Sequence, residues 1–421
     1  MNKYKREILS NKVNVFTIPV PGAKTVTALL VFKTGSKYET LENNGISHFL
    51  EHMFFKGTKK RPDAVTISGD LDSLGSEFNA FTTKEFTGYW VRVASAKFKS
   101  ALSILSDMLQ NSLFDQAEID RESGVIIEEL NMYEDNPVMH IEDIFEHCLY
   151  GDTPAGWDTI GTKENIRRFK REDFVTYLNT QYGANSLSAI LAGDVKKADK
   201  VAAVKLLDTF KSNKWKNKAK VTEAQVKPQL KSVYKDIDQV NLSLGVRTYA
   251  IDSPEEFKLK LLSVILGGAM SSRLFTRLRE RNGLAYTVRT LTEFYSDSGY
   301  LTTQAGVPID KVEPAIKIIL EEYKRLTTEL VPPKELKRAK DLFVGRLLLQ
   351  MEGTGDVADW YGRQAILRKK IITPNEFLTA IKKISAQDLK KTAQKIFVDQ
   401  KLNLALIGKV KEENFKSILH F

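Results

Sequence analysis

Apolar positions near the start of the chain gather into two short runs within "VNVFTIPVPGAKTVTALLVFKTGSKYE", residues 13–39. Runs of this length, rich in Val, Thr and Phe and divided by a Pro-Gly pair, predict two strands. A different period takes over in "SAKFKSALSILSDMLQNSLF", residues 95–114. There Phe98, Ala101, Leu102, Leu105, Met108 and Leu109 fall on one stripe, the mark of an amphipathic helix. "NSLSAILAGDVKKADKVAAVKLLDTF" (185–210) reads as a buried strand, a Gly-Asp turn and a helix.

The second half repeats this plan. "KSVYKDIDQVNLSLGVRTYAID" (231–252) again offers two strand-like runs, and "KLNLALIGKVKEENFKSIL" (401–419) again reads as strand, turn and helix. Halves that open and close alike point to an internal duplication of about 200 residues. The expected fold class is α+β: two homologous domains, each a mainly antiparallel sheet packed with helices. The boundary falls in "KSNKWKNKAKVTEAQVKPQLK" (211–231), so the expected parts are 1–212, a linker at 213–228, and 229–421.

Composition narrows the class. At 421 residues the chain exceeds one ordinary core, and 42% hydrophobic residues suit a globular protein. It has no uninterrupted apolar run of membrane-spanning length, and its start lacks the apolar centre of a signal peptide. A cytoplasmic, bacterial chain without a membrane partner is expected. Cys148 is the single cysteine, which excludes an internal disulfide and leaves a small buried hydrophobe as its plain role. The net charge of +10 is spread along the chain, and the lysine-rich run at 211–231 reads as a solvated linker. A nucleic-acid partner would call for aromatics among the basic residues or a known binding module, and neither is found.

Chemistry enters at "ISHFLEHMFFKGT", residues 46–58. On a helix over 46–56, His48, Glu51 and His52 share one face, while Ile46, Phe49, Leu50, Met53 and Phe54 supply the packed side. Two imidazoles one turn apart can reach one ion, and the acid between them is placed to take a proton from bound water. The plain alternative is two satisfied histidines on a buried helix. A metal centre needs a third protein ligand. The acidic stretch "QAEIDRESGVIIEELNMYEDNP" (116–137), which Pro137 is expected to end, puts Glu122 and Glu129 on one stripe with Ile119, Ile126, Leu130 and Tyr133. Acids on an apolar face need a partner, and a metal with its histidines is one. Glu128 and Glu134 read as solvated, whereas His140 and His147 compete as ligands from the following helix.

"HFLEHMFFKGT" followed by "ESGVIIEEL" resembles the inverted zinc-peptidase motif of the insulinase and pitrilysin family, most closely its bacterial two-domain members related to the mitochondrial processing peptidase β subunit. The likeness runs through "FNAFTTKEFTGYW", "IGTKENIRRFKREDFVTYLNTQYGANSLSAILAGDV" and "LGGAMSSRLFTRLRERNGLAYTV". Where related bacterial chains often carry His-Pro-Leu-Gly, this one has "DTPAGWDTIG" at 152–161.

The resemblance implies one Zn²⁺ per chain held by His48, His52 and Glu129, with Glu122 supporting the site and Glu51 as general base. It assigns Arg279 and Tyr286 to an arginine–tyrosine pair that completes the active site, and Phe78, Asn79, Ala80, Phe81 and Thr82 to a strand that pairs with substrate. The implied activity is that of a zinc endopeptidase on unfolded or short peptides, in a chamber formed by a homodimer whose active sites are completed in trans. A non-catalytic core-type subunit and a presequence-specific peptidase are the alternatives within the family.

Overall fold

The computed structural model describes residues 3–421, which cluster into two compact units. The first comprises the described residues up to Leu130 with Asp158–Ala219 and Leu348–Pro374; the second comprises Asn131–Trp157, Lys220–Leu347 and Asn375–Phe421. Neither unit is a continuous stretch, so the expected parts 1–212 and 229–421 do not coincide with the compact units. The cause is a reciprocal use of two helices.

The first unit holds a six-stranded sheet. Its strands are β1 (Lys5–Ile8), β2 (Asn14–Pro19), β3 (Thr25–Phe32), β4 (Glu77–Thr82), β5 (Thr87–Ala94) and β6 (Leu187–Gly193). They lie in the order β1-β2-β6-β3-β5-β4. Only the β2–β6 pair is parallel. β3, "TVTALLVF", is buried along almost its whole length because both faces are covered. On one face lies the main core, including Leu30, Phe32, Phe49, Leu50, Phe54 and Tyr89. On the other lies the helix Thr354–Leu367, which packs on β3 and β6 although it comes from late in the chain. Gly362 permits that approach: a Cβ there would come within 2.7 Å of Leu29 Cδ2. Thr27 Oγ1 donates to Thr354 Oγ1 at 2.9 Å at the start of the same contact.

The second unit repeats the sheet. β7 (Gln229–Tyr234), β8 (Gln239–Arg247), β9 (Thr287–Phe294), β10 (Gly299–Pro308) and β11 (Leu402–Gly408) lie in the order β7-β11-β8-β10-β9. Leaving out β1, this is the order of the first sheet strand for strand, again with one parallel pair, β7–β11. The duplication read from the chain is therefore present in the topology. Here the covering helix comes from the other half of the sequence: Pro137–Tyr150 packs on β7, β8 and β11 through Ile141, Ile144 and Phe145.

Two local expectations change. The acidic helix runs Gln116–Asp135, and Pro137 opens the next helix at its first position, where its missing N–H costs nothing. After β11 the chain forms only short 3₁₀ turns, Glu412–Asn414 and Lys416–Ile418, in place of the expected helix. A segment this short cannot recover the cost of helix nucleation without a long apolar stripe to bury. The linker at 213–228 has no regular structure, but it is fastened: Trp215 donates its indole N–H to Lys33 O at 3.0 Å and packs on Tyr38.

Candidate metal centre

The motif helix, Ile46–Met53, buries Ile46, Phe49, Leu50 and Met53 in the first unit's core, which fixes the direction of its polar face. Its start is closely specified. Gly45 has φ +99°, a conformation that favours glycine, and a Cβ on Gly161 would come within 2.5 Å of Gly45 Cα. Glu39 lies beneath this turn, accepting from Gly45 N and Ser47 N, each at 2.8 Å, and from Asn44 Nδ2 at 3.0 Å. Ser47 Oγ is 2.8 Å from Tyr177 OH. A helix held this firmly at its N-terminus presents its next turn in one orientation.

That turn carries the expected group. His48 Nε2 lies 3.6 Å from Glu129 Oε1, and His52 Nε2 lies 3.5 Å from Glu129 Oε2. These separations are long for hydrogen bonds. They match the spacing of donors around a tetrahedral zinc ion, which is roughly 3.4 Å when each donor sits about 2.1 Å from the metal. Two imidazole nitrogens and a carboxylate also form a donor set suited to zinc. Among the described residues, His48, His52 and Glu129 are the only such group of three. The acidic helix therefore answers the choice left open by its stripe: Glu129 faces the histidine nitrogens, and Glu122 supports from behind. Glu122 Oε1 is 2.9 Å from His52 Nδ1, which assigns the proton to Nδ1 and leaves Nε2 a free donor toward the metal position. Glu128 is exposed on the same helix. His140 and His147 lie in the second unit, outside the group.

Burial raises the Glu51 carboxyl above its usual range, against the hydrogen bond from Thr82, whose Oγ1 donates to Glu51 Oε2 at 2.6 Å. The facing His48 imidazole holds Glu129 below the usual range. At Glu122 burial pulls upward, but the hydrogen bonds from His52 and Lys56 prevail and lower its pKa. His52 is the converse: burial disfavours its charge, yet Glu122 and the nearby carboxylates raise its pKa overall.

Thr82 ends β4, which is the edge of its sheet. Phe78 and Ala80 pack toward the core, as alternation along a strand requires, and Asn79 and Phe81 take the opposite face. The Asn79 side chain occupies the Ala80 N–H at 2.8 Å. In the second unit, Arg279 lies in a π-helical stretch, Phe275–Arg281. Its Nη1 donates to Tyr286 O at 3.0 Å, and its guanidinium lies 5.1 Å from the Tyr286 ring centre. Tyr286 is 73% exposed. Three groups that shape the site were not singled out for these contacts from the sequence: Glu39, Lys56 and the Thr82 hydroxyl. Of these, only Lys56 had a readable clue, its place four residues after His52.

The family described as "Insulinase (Peptidase family M16)" matches residues 14–163, and "Peptidase M16 inactive domain" matches residues 168–343. A Rickettsia felis protein named "Uncharacterized zinc protease" is 37% identical over 92% of this chain and 94% of its own. The chain belongs to peptidase family M16. The mitochondrial-processing peptidase subunit beta of Dictyostelium discoideum is 28% identical over 96% of this chain and 88% of its own. The crystal structure of a protease from Helicobacter pylori superposes with a TM-score of 0.92, covering 97% of this chain and all of that one at 21% identity. That likeness shows a shared fold, two mixed α/β domains built on largely antiparallel sheets. The chain's homology is thus to zinc metallopeptidases. Among the described residues, no helix is long and apolar enough to cross a membrane.

Proposed function

We propose that this protein is a zinc-dependent endopeptidase of the bacterial cytoplasm that cleaves unfolded or short peptides. The observation that supports it best is the separation of His48 Nε2 and His52 Nε2 from the Glu129 carboxylate, 3.5–3.6 Å, with Glu51 on the same helical face. His48, His52 and Glu129 would hold one Zn²⁺ per chain. When bound, the ion supplies Lewis acidity, polarising the scissile carbonyl and making a water acidic near neutral pH.

Glu51 takes a proton from the attacking water and passes it to the leaving amine nitrogen, so its carboxylate is regenerated in each turnover. Thr82 holds one Glu51 oxygen and leaves the other to receive that proton. Glu122 keeps His52 in the Nδ1–H form. The edge strand β4, through Phe78, Asn79, Ala80, Phe81 and Thr82, pairs with an extended peptide by main-chain hydrogen bonds. Such pairing reads little sequence and requires a free strand, which favours unfolded chains over folded proteins. This main-chain recognition also favours general peptide cleavage over presequence-specific processing.

Tyr286 donates to the developing oxyanion, and Arg279 orients it. In this reading two chains close as a homodimeric chamber, each supplying Arg279 and Tyr286 to the other's site. Metal analysis with a quenched-peptide assay on wild type and Glu51→Gln tests the chemistry. The variant should keep its zinc and fold while kcat falls by about 10²–10⁴. Full activity in the variant, or a zinc-free active wild type, would sink the reading. Size measurement in solution tests the assembly, and a fully active monomer would remove it.

A further inference from the structure

Lys56 takes no part in the chemistry above, yet it reaches the metal site from behind. Its Nζ lies 2.5 Å from Glu122 Oε2, while the other oxygen of that carboxylate lies 2.9 Å from His52 Nδ1. His52 and Lys56 are four residues apart and come off the same stretch of chain, so one glutamate from the acidic helix ties both. Glu122 itself is only 4% exposed.

We propose that Lys56 is a positioning residue for the zinc centre: it clamps the Glu122 carboxylate so that His52 presents Nε2 to the metal in a fixed orientation. The inference rests on the metal reading above and goes beyond it. Two arguments carry it. The first is geometric. A carboxylate held at one oxygen can swing about its own side-chain torsions, whereas one held at both oxygens by donors from the same segment cannot. The imidazole it supports then has one ring plane available. The chain around Lys56 is itself anchored: its N–H bonds Met53 O at 3.2 Å, and two residues on, Thr58 Oγ1 donates to Asp107 at 2.8 Å.

The second argument is charge. Glu51, Glu122 and Glu129 bring three negative charges to the centre, and imidazoles that coordinate through Nε2 are neutral. A divalent ion leaves one negative charge over, and the Lys56 ammonium matches it. Without Lys56 the largely buried Glu122 would carry an unmatched charge, which is costly in a desolvated setting. The carboxylate would then turn toward solvent and release His52.

The test is zinc affinity, measured by chelator competition on the full chain, for wild type, Lys56→Met, Lys56→Arg, Glu122→Gln and the Lys56→Met/Glu122→Gln pair. Lys56→Met should weaken zinc binding by about 10–100-fold, the range usual for loss of an outer-shell partner. Lys56→Arg should recover most of it, and Lys56→Met should add little once Glu122 is already Gln. The visible spectrum of the cobalt(II) form should change in Lys56→Met and return in Lys56→Arg, while apo-protein melting reports whether the variants fold. Unchanged or tighter zinc binding in a folded Lys56→Met protein would overturn the proposal, as would an equal effect of Lys56→Met in the Glu122→Gln background. If wild type takes up no zinc, the reading of the site falls first and this inference with it.

Discussion

Glu39 grips the first turn of the metal-site helix with both oxygens, Oε1 on the Ser47 amide and Oε2 on the Gly45 amide, each at 2.8 Å. Those amides have no other acceptor within the helix, since the first turn of any helix leaves its N–H groups unpaired. Replacing Glu39 by Ala should therefore leave buried donors unsatisfied and destabilise the protein by about 1–3 kcal/mol. The histidines would also lose their fixed direction. Denaturant melts together with zinc content check this, and a variant as stable and as zinc-replete as wild type would show that the cap is dispensable.

The contact between Thr82 and Glu51 links the edge strand to the proposed base. Thr82→Val keeps the shape and β propensity of the residue but removes the donor. Its kcat should drop by roughly tenfold with zinc content unchanged, part of the 10²–10⁴ that a positioned base contributes. Thr82→Ser should restore activity. A Val variant that turns over at the wild-type rate would separate the hydroxyl from catalysis.

Cys148 should be nearly inert in the folded protein. Burial pushes its thiol up from 9.0 to about 12, and it sits against Leu404 O. At pH 8 its thiolate population is then about 10³-fold below that of an ordinary cysteine, and the reactive form is the thiolate. Alkylation followed by mass spectrometry should show slow labelling in the native state and rapid labelling in denaturant. Fast native labelling would contradict the packing of the Pro137–Tyr150 helix.

Glu255 provides a pH test of stability in the second unit. Burial pulls its carboxyl upward, but hydrogen bonds from Thr392, Lys258 and Lys395 outweigh this and hold it down at about 2. A carboxyl with a lower pKa in the folded than in the unfolded chain stabilises the fold above the unfolded value. That stabilisation is lost as pH falls from about 4.5 through about 2. Glu255→Gln should thus lower Tm at pH 7, and the gap to wild type should close across that acidic window. A gap independent of pH would mean that the ion pairs contribute nothing.

Much of this was legible in the chain. The strands β3, β6, β8 and β11 are buried along nearly their whole length and were readable from their apolar residues, whereas β2 and β7, which are only partly buried, were readable only as short strand-like runs. The motif helix was readable because His48, Glu51 and His52 keep helical spacing opposite a packed apolar face. The expected C-terminal helix was misread because "KEENFKSIL" has helical composition but too little length and apolar surface to hold a helix. The compact units pass from one to the other at Ala219–Lys220, inside the expected linker, but they exchange two helical segments that the chain did not reveal, because periodicity shows that a helix buries one face without showing which sheet receives it. The helices Pro137–Tyr150 and Thr354–Leu367 each cover the sheet of the other half of the sequence.

By itself the sequence determined the repeated strand plan, the pair of imidazoles one turn apart, and a stripe on which Glu122 and Glu129 both sat. Those are local facts, set by periods of two and 3.6 residues. Only the tertiary structure decided that Glu129 meets the Nε2 atoms while Glu122 takes Nδ1, that Lys56 closes on the far oxygen of Glu122, and that Glu39 anchors the helix from below. These contacts depend on where the chain places segments far apart in sequence, and no repeat along the chain records a distance across a core.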